Sequence, residues 1–81
     1  MNTIYSKQFI KSFTPLEKKL QLRIRKAIGK LPDGDVKKLK GNYSPALFRL
    51  RVGKHRILFE INEPTIFIVD IDTRGDIYKG I

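Results

Sequence analysis

The chain of 81 residues has no cysteine and no tryptophan, and only one methionine and one histidine. Without thiols there are no disulfide staples, no thiolate metal sites and no cysteine nucleophile. A single imidazole cannot assemble a zinc site, and the acids Glu60, Asp70, Asp72 and Asp76 do not group with His55 into a ligand set. Long apolar runs are also missing. The longest, Ile66–Val69, has four residues, against the roughly 20 a membrane-spanning helix needs, and no secretory h-region stands near the N-terminus. Acidic side chains are scarce, eight against seventeen basic ones. A soluble cytoplasmic protein of one domain, residues 1–81, is expected, with no cofactor and no membrane partner. A chain this short buries only about 60–65% of its unfolded surface, so its core is one layer contact.

The net charge of +9 is unevenly placed. Residues 1–56 hold fifteen basic and three acidic side chains, a balance of +12, whereas residues 57–81 hold two and five, a balance of −3. With a pI near 10.1, this one-sided excess is the footprint of a polyanion binder or of a dock for an acidic protein.

Thr3-Ile4-Tyr5 is a short β-prone start before Ser6, an N-cap candidate for a first helix over about 7–13. Thr14-Pro15-Leu16-Glu17 reads as a capping box that opens a second helix. Its apolar positions Leu16, Leu20, Ile24, Ala27, Ile28 and Leu31 form one stripe, and Leu31-Pro32-Asp33-Gly34 ends it. Asp35–Gly41 reads as a basic connecting stretch, and a loop follows around Asn42–Pro45. The period then changes to alternation: strands over Leu47–Val52, His55–Asn62 and Thr65 to about Thr73. This is an α+β domain of two layers: an N-terminal strand, a helical hairpin, then a three-stranded antiparallel meander packed on the helices. The N-terminal strand is a candidate to join one sheet edge.

Gly53-Lys54 suits a type II′ turn, which fixes the register of the hairpin. Val52 then pairs with His55, Arg51 with Arg56, Leu50 with Ile57, Arg49 with Leu58 and Phe48 with Phe59. Alternation puts Phe48, Leu50, Val52, His55, Ile57 and Phe59 toward the helices and Arg49, Arg51, Arg56, Leu58 and Glu60 on the other face. Like charges directly opposite destabilise a strand pair. Such an arrangement implies either a nearby acid, Glu60 or Asp70, or a site for an external anion, for which guanidinium forks suit phosphate oxygens. The bland alternative is an Arg/Glu ladder on a solvated face. Lys37, Lys38 and Lys40 add charge just before this hairpin. His55, at the hairpin end on the helix-facing side, reads more as structural than catalytic. Tyr78, four residues after Arg74, suits packing, base stacking or proton transfer.

Three segments together resemble the RelE/ParE superfamily of type II toxin–antitoxin toxins: Lys38-Leu39-Lys40-Gly41, then Phe48-Arg49-Leu50-Arg51-Val52-Gly53-Lys54-His55-Arg56-Ile57-Leu58-Phe59-Glu60-Ile61, then Arg74-Gly75-Asp76-Ile77-Tyr78. The likeness spans nearly the whole chain, and the strand–turn–strand segment is its most specific part. In its RelE branch the resemblance implies a ribosome-dependent endoribonuclease that inhibits translation by cutting mRNA without metal, through attack of the 2′-OH on the adjacent phosphate. By position it implies catalytic roles for Arg49, Arg56, Arg74 and Tyr78. Arg56 would hold the scissile phosphate, Arg49 stands where that branch has a catalytic lysine, and Tyr78 would stack or assist at the attacked nucleotide. Lys38, Lys40, Arg51, Lys54 and His55 are expected to bind RNA or phosphate around them. Two positions depart from the family pattern: Leu47, where a second lysine is common, and Gly75, where a second basic residue is common. A ParE-like inhibitor of DNA gyrase, or a non-toxic relative that only binds antitoxin or nucleic acid, has the same outline. All three imply a short, acidic antitoxin from an adjacent gene as partner, and the first adds the ribosome and mRNA.

Overall fold

The computed structural model describes residues 2–72. The N-terminal strand β1 (Asn2–Tyr5) runs into helix α1 (Lys7–Phe13) through Ser6, whose hydroxyl accepts a hydrogen bond of 2.9 Å from the Phe9 N–H. This satisfies one of the donors a helix start leaves unpaired. Helix α2 (Lys18–Gly29) follows, then strands β2 (Val36–Lys38), β3 (Leu47–Val52), β4 (His55–Asn62) and β5 (Thr65–Asp72). The five strands form one sheet in the order β1-β5-β4-β3-β2. The meander β3–β4–β5 is antiparallel, as expected, and β1 lies at one edge, parallel to β5.

Both helices cover one face of the sheet. Phe9 of α1 and Ile24 and Ile28 of α2 meet Leu50, Val52, Ile57, Phe59, Ile66, Ile68 and Ile71 in a single apolar cluster. Leu16, Leu20, Ala27 and Leu31 of the expected stripe flank it. Among the described residues no polar side chain is buried, so the core holds by apolar burial at about 25 cal/mol per Å2. No described helix is long and apolar enough to cross a membrane.

Two expectations are corrected, and the last expected strand forms with an irregularity. Thr14-Pro15-Leu16-Glu17 does not cap α2. Thr14 caps the end of α1, where its hydroxyl donates to the Ile10 carbonyl at 2.7 Å, and α2 begins at Lys18 with no side-chain cap on Glu17. The Gln21 amide donates to the Phe13 and Thr14 carbonyls at 3.1 Å each. The open carbonyl end of α1 thus claims both side chains, and residues 14–17 serve as its link to α2.

The basic stretch after α2 is not all loop, because Val36–Lys38 pairs antiparallel with β3 and adds a fifth strand. Val36 packs against the core and supplies the apolar contact that fixes this short, lysine-rich edge. Finally, β5 is not a regular strand. Leu58 pairs with Asp70 and Phe59 with Ile68, leaving Val69 as an extra residue. This bulge shifts the alternation by one, so that Ile71 and not Asp70 continues the core row begun by Ile66 and Ile68. Ser6 also holds the bulge: its N–H donates to the Ile68 carbonyl at 2.9 Å and its hydroxyl donates to the Val69 carbonyl.

Candidate functional site

The β3–β4 register is the one the sequence predicts, including Arg51 directly opposite Arg56. Gly53 has φ of +59° while no non-glycine residue among those described has positive φ, which fits a type II′ turn with glycine at its first central position. Alternation from this turn places Arg49, Arg51, Arg56, Leu58 and Glu60 on the face away from the helices. Arg51 is exposed, and Arg56 is half-buried and stands between Arg51 on β3 and Asp72 on β5 in the ladder.

The side chain of Arg49 is only 12% exposed and has an acidic partner that the sequence does not suggest. Its Nη1 lies 3.3 Å from the Asp35 carboxylate and donates to the Asp35 carbonyl at 3.2 Å. The expected internal acids act differently. Asp70 reaches this face through the bulge, but its carboxylate accepts from the Ile71 N–H at 2.7 Å. Glu60 stands opposite Leu47, in a shallow groove of about 280 Å3 that it shares with Tyr43, Ser44, Pro45 and Val69. The loop before β3 therefore lies against this face, and Leu47 is buried there at 4% exposure.

The structure gathers some of the expected residues and separates others. Arg49, Arg51 and Arg56 share one face. Lys37 joins them, since it is in register with Arg49. Lys38 is in register with Phe48 and alternates with Lys37, so it belongs to the helix side of the edge strand. His55 pairs with buried Val52, also on the helix side, away from the arginines. Lys40 lies in the loop after β2, and Lys54 is the exposed second residue of the turn. Arg74 and Tyr78 lie outside the described residues. Asp35 is the member that sequence reasoning missed, and Lys37, noted there only as added charge before the hairpin, is the one it did not place. Recognising Val36-Lys37-Lys38 as a strand would have placed Lys37 beside Arg49.

Chemically, the arrangement is a cationic surface on a rigid hairpin, with guanidinium groups at successive outward positions. It can hold an anion and stabilise added negative charge. It is poor at accepting protons, because guanidinium groups stay protonated at physiological pH.

Comparison with known proteins gives a consistent family. The model of the "ParE toxin of type II toxin–antitoxin system, parDE" family matches residues 4–78. Among solved structures, the chain is similar to the RelB–RelE antitoxin–toxin complex from Methanococcus jannaschii, at 27% identity and a TM-score of 0.75, covering 96% of this chain and 98% of that one. It is similar to the archaeal RelE–RelB complex from Pyrococcus horikoshii OT3, at 28% identity and a TM-score of 0.73, covering 91% and 94%. The toxin–antitoxin complex RelBE2 from Mycobacterium tuberculosis shares the fold, at 22% identity and a TM-score of 0.74 over 90% and 96%. Comparison with curated proteins finds no match.

Proposed function

The chain belongs to the RelE/ParE superfamily of type II toxin–antitoxin toxins, and from that premise we propose that it is a ribosome-dependent mRNA endoribonuclease held in check by a short acidic antitoxin. The observation that carries this reading is the direct pairing of Arg51 with Arg56 on the face away from the helices, with Arg49 and Lys37 beside it. Opposed cations cost a strand pair on their own, whereas a phosphodiester in an attack geometry gains two guanidinium forks.

In the reaction the ribose 2′-OH attacks the adjacent phosphorus and gives up its proton. The phosphorane carries extra negative charge, and the 5′-oxygen leaves with a proton, so the products end in a 2′,3′-cyclic phosphate and a 5′-hydroxyl. Arg56 holds the scissile phosphate, and Arg49 and Arg51 stabilise the phosphorane. Asp35 fixes the Arg49 guanidinium before substrate arrives, which limits the reorganisation needed at the transition state. Arg74 and Tyr78 of the C-terminal motif complete the site, with Tyr78 stacking at the attacked nucleotide and assisting proton transfer. Lys40 and Lys54 add attraction for the surrounding phosphates from the rim, whereas Lys38 and His55 stand on the helix side. The antitoxin is argued from the RelB partner of the two archaeal complexes and from the +12 balance of residues 1–56, which suits an acidic segment that folds on binding.

The test is a translation reaction on intact ribosomes with end-mapped mRNA. Cleavage in the A site should persist in a chelator at concentrations that leave ribosomes intact. The products should carry 2′,3′-cyclic or 3′-phosphate ends, and a 3′-OH would contradict the mechanism. Tyr78→Phe, which keeps the ring and removes the hydroxyl, should slow single-turnover cleavage more than it weakens ribosome binding.

One observation favours a second reading. Leu47 is buried where the ribonuclease branch often has lysine, and Arg49 is tied to Asp35. A toxin that acts by protein contact, as a gyrase inhibitor, needs no reactive side chain at either place. Inhibition of DNA supercoiling with intact mRNA would select it.

A further inference from the structure

The arginine face leaves a second concentration of charge unused. Along α2, Lys19, Arg23, Lys26 and the C-capping Lys30 recur at i, i+4, i+7 and i+11, on the flank beside the buried stripe, and all four are exposed. At 1.5 Å per residue this row of cations is about 16 Å long, in steps of about 4.5–6 Å. Arg23, Lys26 and Lys30 form one wall of a groove of about 380 Å3, and the end of β3 from Leu50 to Gly53 forms the other. The Arg23 guanidinium lies 3.3–3.6 Å from the position a Cβ would take on Gly53, so it is packed close over the turn.

The groove is continuous with the arginine face. Strand β2 starts opposite Leu50, which leaves Arg51 at the sheet edge, where it lines the groove while standing across the ladder from Arg56. Arg51 thus belongs both to the arginine face, opposite Arg56, and to the lining of the groove that Arg23, Lys26 and Lys30 border.

An acidic peptide would need a strand edge or an apolar anchor here, and neither is offered. The Arg51 N–H already donates to the Asp35 carbonyl at 3.0 Å, and Leu50 and Val52 are 1% and 6% exposed. What remains is a regular row of cations, which suits a repeating anion read without regard to sequence. We propose that the groove between α2 and the end of β3 binds the phosphate backbone of the RNA strand that crosses the arginine face, as a positioning subsite away from the scissile bond. This rests on the reading of that face as an RNA site. Of the two acids in the groove, Asp35 is engaged by Arg49. Asp33 is exposed on the rim and opposes the phosphates.

The experiment titrates the full-length protein against a fluorescent, 2′-O-methylated single-stranded oligoribonucleotide over a range of salt. It compares a Lys26→Glu/Lys30→Glu double variant with Lys7→Glu/Lys11→Glu, which makes the same change in net charge on α1. Circular dichroism confirms that each is folded. The groove variant should bind at least about tenfold more weakly than the α1 variant. Its salt slope should fall by about 1.4, at about 0.7 for each single-strand phosphate no longer neutralised. Asp33→Asn should bind about two- to threefold more tightly than the parent. Equal losses in the two double variants would overturn the groove and leave only net charge. Tighter binding of polyglutamate than of RNA at the same salt, lost in the groove variant, would overturn it in favour of a protein partner. Binding that depends on Arg56 but not on the groove would overturn the subsite alone, whereas no saturable RNA binding by the parent would overturn the RNA reading with it.

Discussion

The two faces of the β3–β4 hairpin share one backbone and one register, yet they are built for opposite ends. Toward the helices stand Leu50, Val52, Ile57 and Phe59, between 0% and 6% exposed, with the Phe48 and Phe59 rings stacked at 5.5 Å. Away from them, at the intervening positions, stand Arg49, Arg51, Arg56 and Glu60. One face makes the fold and gains from every contact. The other sets Arg51 opposite Arg56, a like-charge pairing that on its own costs the sheet and that the proposed function explains as a site for phosphate. A strand of period two lets both coexist, with buried Leu47 and Leu58 the apolar exceptions on the cationic face.

The sharpest way to break this division is to cut one side chain from each face. Phe59→Ala opens a cavity in the core and should destabilise the domain by about 3–5 kcal/mol, a large part of the ~5–15 kcal/mol available to a small protein. The thermal midpoint should collapse, and toxicity should vanish because the folded protein does. Arg56→Ala should do the reverse. Loss of a phosphate contact at the transition state should slow cleavage by about 30- to 1,000-fold, or about 2–4 kcal/mol. Stability should change by no more than about 1 kcal/mol, since relief of the Arg51–Arg56 repulsion offsets what the side chain itself contributes to the sheet. Growth arrest and thermal melting measured on both variants test the division, and a fully toxic Arg56→Ala would remove that residue from the site.

The hairpin was legible in the sequence because a two-residue glycine turn leaves one register, and the register alone sorts Arg49, Arg51 and Arg56 from Leu50, Val52 and Ile57. Strand β2 was not, because Val36-Lys37-Lys38 has no strand signal of its own and forms only where the β3 edge and the core receive it. Everything that depends on β2 stayed hidden with it: the ion pair of Arg49 with Asp35, and the choice of Lys37 over Lys38 for the arginine face. The link at 14–17 misled for a different reason. Its residues satisfy a capping pattern, but the carbonyls at the end of α1 compete for the same hydroxyl. The bulge at Val69 does leave a trace, since apolar Ile66 and Ile68 are followed by Ile71 and not by an apolar residue at position 70.

A smaller effect should come from the residue that keeps the two faces in phase along β5. Ser6 caps α1 through the Phe9 N–H and holds the bulge through the Val69 carbonyl. Ser6→Ala removes both bonds and should destabilise the fold by about 1–2 kcal/mol. If the bulge itself loosens, hydrogen exchange at Val69 and Asp70 should rise more than in the middle of β4. Equal exchange at both places would leave Ser6 as a helix cap alone.

Asp35→Asn should have the smallest effect, and it separates the faces by sign. The Asp35 carboxylate is 59% exposed, and exposed ion pairs are worth about 0–1 kcal/mol and are screened by salt. Stability should therefore fall by less than about 1 kcal/mol, and by less still at high salt. On the arginine face the same change removes the one acid seen to pair with Arg49 among the described residues, so the local potential becomes more positive and RNA should bind more tightly. Turnover should not follow affinity, because an Arg49 guanidinium released from Asp35 is no longer held in place before the phosphate arrives. Tighter binding with slower cleavage is the expected pair of results. If binding and cleavage rise together, Asp35 acts only through its charge, and the ion pair has no part in positioning Arg49.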